Sequence, residues 1–163
     1  MSKVAYETLI AQRFATWLSN QTGQLHTVTR GPNPPDFLLS SGTWLELTDI
    51  YLNDEEAKFE NSPREKTFSF NCSPDEPALR LLQKLNQKLA KTSYREIYKR
   101  TGRGILLLTC QDSFFDQVNL AHVQQALESF RPTTDQGFFN VAYFEYQLDG
   151  RRFYDPIYPH DSA

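Results

Sequence analysis

"PPDFLLSSGTWLELT", residues 34–48, is the stretch whose reading decides the fold. Two apolar runs flank Ser41-Gly42, so it reads as a hairpin with strands DFLLS (36–40) and TWLELTDIY (43–51). On the second strand Trp44, Glu46, Thr48 and Ile50 share one face, and Leu45, Leu47, Asp49 and Tyr51 share the other. Pairing through a Ser41-Gly42 turn puts Phe37 roughly opposite Glu46, which leaves Asp36 and Glu46 within a residue of each other. Charged side chains seldom stand among core positions unless something pairs with them or binds to them. Two carboxylates this close repel unless a cation or a proton intervenes, and hard oxygen donors suit Mg²⁺ or Mn²⁺.

Upstream, residues 3–23 (KVAYETLIAQRFATWLSNQTG) read as an amphipathic helix with Ile10, Phe14, Trp17 and Leu18 on one face and Gly23 as a stop. Glu7 precedes Ile10, Ala11, Phe14 and Leu18 by three, four, seven and eleven residues, which sets it on the apolar stripe. It is either a third acid for the hairpin pair or an acid at the stripe's edge that reaches water or an arginine. LHTVTR (25–30) reads as a short strand ended by GPNPP.

Downstream, a polar stretch precedes a short strand at TFSFN (67–71). Residues 73–100 then read as one helix, with Ser73 as N-cap and Asp75 and Glu76 in the first turn. Ala78, Leu81, Leu82, Leu85 and Leu89 form its core stripe. GILLLTC (104–110) is an unbroken apolar run between breakers, as expected of a central strand covered on both faces. QVNLAHVQQALESF (117–130) reads as a helix, and GFFNVAYFEYQL (137–148) and RRFYDPIY (151–158) as late strands. A helix between two strands implies a parallel crossover. The class is α/β, bordering on α+β, with helices packed on a central mixed sheet.

The composition is that of a globular chain expected to form a single domain over residues 1–163, with 39% hydrophobic and 23% charged residues. No apolar run approaches a membrane span and the first residues lack a hydrophobic leader, so a cytoplasmic protein is expected. Cys72 and Cys110 have no metal-ligand spacing and read as buried small hydrophobes. A net charge of −3 argues against indiscriminate coating of nucleic acid. Yet from Arg80 to Arg103 eight cations (Arg80, Lys84, Lys88, Lys91, Arg95, Lys99, Arg100, Arg103) face one acid, Glu96. Such a segment is either a solvated helix surface or a basic face for phosphate.

Other chemistries find little support. There is no GxGxxG, P-loop or GxSxG pattern, and His26, His122 and His160 are scattered without zinc-site spacing. Asp112 and Asp116, after the apolar strand, read as helix-capping loop residues.

Pro35-Asp36, nine intervening residues and then Glu46-Leu47-Thr48, in an αβββαβ order, resemble the PD-(D/E)XK phosphodiesterase superfamily, the restriction-endonuclease-like nucleases. The resemblance covers about residues 3–110, with the last helix and strands as a C-terminal extension. It implies a nuclease that uses Mg²⁺ or Mn²⁺, with Asp36, Glu46, the Leu47 carbonyl and Glu7 as metal ligands. The metal would lower the pKa of a bound water and stabilise charge on the attacked phosphate. The family also carries a lysine two residues after the glutamate, where this chain has Thr48.

Two readings follow from that departure. In one, the lysine has migrated to another element. Lys88, at the border of the Leu85/Leu89 stripe, is then the first choice, Lys84 the second and the loop residue Lys66 the third. Lys88 or Lys84 would complete the catalytic set with Glu46, while Arg80, Lys91 and Arg95 would meet the nucleic-acid backbone. In the other, the site is inactive and the fold serves as a binding module, with the late aromatic strands as a homodimer interface.

Overall fold

The Ser2 hydroxyl accepts a hydrogen bond from the Ala5 N–H (3.1 Å) and so starts α1 (Lys3–Thr22), which ends where Gly23 donates its N–H to the Ser19 carbonyl. The computed structural model describes residues 2–49, 75–109, 117–129 and 137–158. After α1 come β1 (Val28–Arg30), β2 (Phe37–Leu39) and β3 (Trp44–Asp49). Next are α2 (Asp75–Ala90), one 3₁₀ turn (Thr92–Tyr94), α3 (Arg95–Thr101) and β4 (Gly104–Thr109). α4 (Gln117–Ser129), β5 (Phe139–Leu148) and β6 (Arg151–Tyr158) complete the described elements. The six strands form one mixed sheet in the order β1-β2-β3-β4-β5-β6, with β3, β4 and β5 mutually parallel and the other neighbours antiparallel. The expected TFSFN strand, Ser73, Lys66, Ile50, Tyr51, both cysteines, Asp112, Asp116 and His160 lie outside the described residues.

The hairpin register differs by one residue from the sequence expectation. Phe37 pairs with Leu45, not Glu46, and Leu38 with Trp44. The Leu39 N–H donates to the Thr43 carbonyl (2.8 Å) and the Gly42 N–H to the Leu39 carbonyl (2.9 Å), so Ser40, Ser41 and Gly42 form a three-residue loop. Gly42, at φ 94°, supplies the left-handed residue that this loop length needs. The shift brings Asp36 directly across from Glu46.

The helix expected over 73–100 is broken. Lys91 adopts an extended backbone (φ −73°, ψ 127°) between α2 and the 3₁₀ turn. Phase explains the break. The stripe Leu81, Leu85, Leu89 would continue through Thr92, Ser93 and Glu96, whereas the residues that reach the core are Tyr94 and Ile97. Interrupting the helix resets the phase and buries both.

β4 is buried along its whole length, as its unbroken apolar sequence requires. One core, around Trp44, Leu85, Tyr94, Leu106 and Phe144, lies between the sheet and α2, α3 and α4. The other, around Phe14, Phe37, Leu45 and Leu107, lies under α1. Gly104 lies against the Trp44 indole so closely that a Cβ there would come within 2.3 Å of the ring, and the Trp44 Nε1–H donates to the Gly102 carbonyl (2.9 Å). Among the described residues no helix is long and apolar enough to cross a membrane.

Candidate functional site

Asp36 and Glu46 face each other across β2 and β3, and each carboxylate is held by the backbone of the opposite strand. Asp36 Oδ2 accepts from the Leu47 N–H (2.9 Å), and Glu46 Oε1 accepts from the Asp36 N–H (3.0 Å). The loop before Asp36 is itself pinned, because the Gly31 N–H donates to the Asp36 carbonyl (2.8 Å). The alternation of β3 turns Trp44, Glu46 and Thr48 inward on the α2 side of the sheet, and all three are buried.

Lys88 reaches this pair from the last turn of α2. Its Nζ lies 3.7 Å from Glu46 Oε2 and donates to the Tyr94 hydroxyl (3.3 Å), which in turn donates to Glu46 Oε2 (2.5 Å). Lys88 borders the Leu85/Leu89 stripe, so its stem lies along the core while its ammonium enters the polar cluster. Two carboxylates against one ammonium leave a negative excess when all three are charged. Burial, together with the neighbouring Glu46 charge, pushes Asp36 up to about 6 despite the opposing Leu47 hydrogen bond. Burial likewise pulls Lys88 below its ordinary value, with Lys91 and Lys84 acting the same way and Glu46 and Asp36 opposing. Burial and the Glu46 carboxylate push the Tyr94 phenol far up, so it stays a neutral donor.

Thr48 is buried with its hydroxyl unpartnered among the described residues. Its face of β3 is the one that carries Glu46.

The chain matches no protein-family model, no curated protein and no solved structure.

The remaining residues singled out from the sequence fall in different places. Glu7 stays outside the cluster: it is paired with Arg30 (3.2 Å) and Lys3 (3.9 Å), the edge-of-stripe alternative. The physical reason is Arg30 on the edge strand β1, whose guanidinium takes the carboxylate before it can turn toward the hairpin. The Leu47 contact with Asp36 runs through its N–H, and its side chain packs on the α1 side. Lys84 is half-buried one turn before Lys88. Lys91 lies 5.7 Å over the Tyr94 ring, Arg95 is exposed on α3, and Arg80 is half-buried and engaged by a partner. Among the described residues no group of three or more His, Cys, Asp and Glu side chains is placed to hold a metal ion.

Two residues of the polar clusters are harder to see in the sequence. Tyr94 falls within what reads as a continuous helix, although its phase mismatch with Leu85 and Leu89 is a usable signal. Glu145 lay inside an aromatic strand pattern, where one acid among Tyr143, Phe144 and Tyr146 demands a partner. It is fully buried on the α1 side of the sheet, bonded to Arg13, Arg152 and Thr109.

Proposed function

We propose that this protein is a divalent-metal-dependent phosphodiesterase acting on nucleic acid, a degenerate member of the PD-(D/E)XK superfamily whose lysine has moved from β3 to α2. The observation that carries the reading is Lys88: its ammonium stands 3.7 Å from Glu46 on the side of the sheet where Thr48 replaces the motif lysine. The order α1-β1-β2-β3-α2-β4 and the direct opposition of Asp36 and Glu46 support it.

The donor set fits Mg²⁺, which commonly takes one or two protein carboxylates and keeps several waters. Asp36 and Glu46 would hold the ion, whose charge would oppose the burial and mutual repulsion that raise the Asp36 pKa. When bound, the ion supplies a water of lowered pKa and charge stabilisation on phosphate. Tyr94 fixes the Glu46 carboxylate, and the backbone N–H groups of Asp36 and Leu47 fix the orientation of the pair. Lys88 places a positive charge beside the ligands, where it can meet a phosphate oxygen. Lys91 and Arg95 extend the positive surface along the neighbouring segment for the strand backbone.

Cleavage of single- and double-stranded DNA and RNA in Mn²⁺ tests this. The wild type is expected to cleave at least one of these. Lys88→Ala should lower the rate about 10²-fold or more, the size seen when one electrostatic stabiliser is removed. Wild-type cleavage by Lys88→Ala would refute the relocated-lysine reading.

A second reading has its own support. Glu7 is satisfied by Arg30, and both Glu46 oxygens already have protein donors, as expected of an inactive relative that binds a partner or itself. In that case the edge strand β6, where Phe153 is exposed, is the homodimer surface to test. Sedimentation of wild type against Phe153→Lys would separate the two.

A further inference from the structure

The opposite side of the sheet carries a second polar centre that the proposed phosphodiesterase does not use. Glu145 Oε1 accepts from the Thr109 hydroxyl (2.8 Å), Arg13 Nη2 (3.1 Å) and Arg152 Nη1 (3.3 Å). The carboxylate is fully buried, whereas the two arginine side chains are about a quarter exposed (29% and 26%). Among the described residues two arginines meet this one carboxylate, and the buried acid fixes both guanidinium groups in place.

These arginines open into a cleft of about 440 Å³ between α1 and β6, lined by Gln12, Arg13, Thr16, Trp17, Arg152 and Tyr154, among others. The cleft is broad and open rather than enclosed. Trp17 and Tyr154 are packed ring on ring, with centroids 4.8 Å apart, and both remain partly exposed. Behind them Phe14 and Tyr143 complete an aromatic cluster, so the Trp17 ring is rigidly backed. Burial, reinforced by Glu145, keeps the Tyr154 phenol uncharged. The cleft therefore joins a rigid aromatic wall, two oriented guanidinium groups and the amide side chain of Gln12. A planar ring stacks on such a wall, an anion meets the guanidinium pair, and amides read ring edges.

We propose that this cleft binds a nucleotide, a planar heteroaromatic base carrying a phosphate, with the base against Trp17 and Tyr154 and the phosphate at Arg13 and Arg152. The site is separate from the Asp36–Glu46–Lys88 cluster, because Glu145 faces α1 and Glu46 faces α2. Its ligand is either a free nucleotide or the phosphorylated end of a strand, which share this chemistry.

Calorimetric titration of the full chain with adenosine 5′-monophosphate, adenosine, inorganic phosphate and a 5′-phosphorylated oligothymidine tests the assignment. The monophosphate should bind at 1:1 stoichiometry and at least tenfold tighter than adenosine or phosphate alone. Tighter binding of the oligonucleotide identifies a strand end as ligand, and tighter binding of the monophosphate a free nucleotide. Arg152→Gln should weaken binding by about tenfold or more. Thr16→Trp, at an exposed helix position that does not touch Glu145, should abolish binding by filling the cleft without unfolding the protein. Leu25→Ser, at an exposed position used by neither site, should bind as the wild type does. Binding no tighter than that of inorganic phosphate, or unchanged binding in Thr16→Trp, would overturn the proposal.

Discussion

At the scale of single residues, Glu46 organises the site, since Asp36, Tyr94 and Lys88 each bond it or stand against it. Removing the tyrosine hydroxyl leaves a buried carboxylate oxygen short of a donor. Tyr94→Phe should therefore cost about 1–3 kcal/mol in urea unfolding. Asp36 sets a pH dependence. Its folded pKa of about 6 exceeds its reference value of 3.8, so between these values the folded state holds more protons than the unfolded one. The slope of stability against pH is then negative: stability is fully present below about pH 4, falls as pH rises through about 6, and levels off above. With chelator present, Asp36→Asn should remove that decline across the same window. A decline that persists in Asp36→Asn would assign it to another group. Lys88 at the stripe border and the closeness of Asp36 and Glu46 were legible in the sequence. An arginine partner for Glu7 was one of two readings, but that it is Arg30 was not legible, because nothing local in either segment announces that β1 comes to lie beside α1.

At the scale of elements, the hairpin and β4 were readable because their patterns admit few alternatives: a glycine turn between apolar runs, and an apolar run between breakers. The register was misread by one residue because Gly42 makes a three-residue loop, and loop length fixes pairing. No Gly or Pro marks the break at Lys91, and it is the out-of-phase Tyr94 and Ile97 that decide the matter. The neighbouring strands β3 and β4 approach closely at Gly104, where a side chain would enter the Trp44 ring. Gly104→Ala should cost about 3 kcal/mol in chemical unfolding. A variant as stable as the wild type would mean that β4 can shift away from Trp44.

At the scale of the whole molecule, the sheet separates two polar centres. One, on the α2 side, has a negative excess and lies at the β2–β3 hairpin. The other, on the α1 side, sets two arginines against Glu145 and opens into a cleft. The second was hidden from sequence reading because Arg13, Glu145 and Arg152 come from three distant segments that only the closed sheet unites. With a net charge of −3, the proposed action on nucleic acid would need a local basic face rather than the average charge. Lys91→Glu/Arg95→Glu should weaken nucleic-acid binding and lower the slope of log affinity against log salt by about 2. An unchanged slope would remove those two residues from the interface. The most direct test of the central claim is a calorimetric titration of Mn²⁺ into wild type and Asp36→Ala/Glu46→Ala. Saturable binding by the wild type that disappears in the double variant is the predicted result. Equal heats from the two proteins would contradict it and leave Asp36 and Glu46 as structural acids.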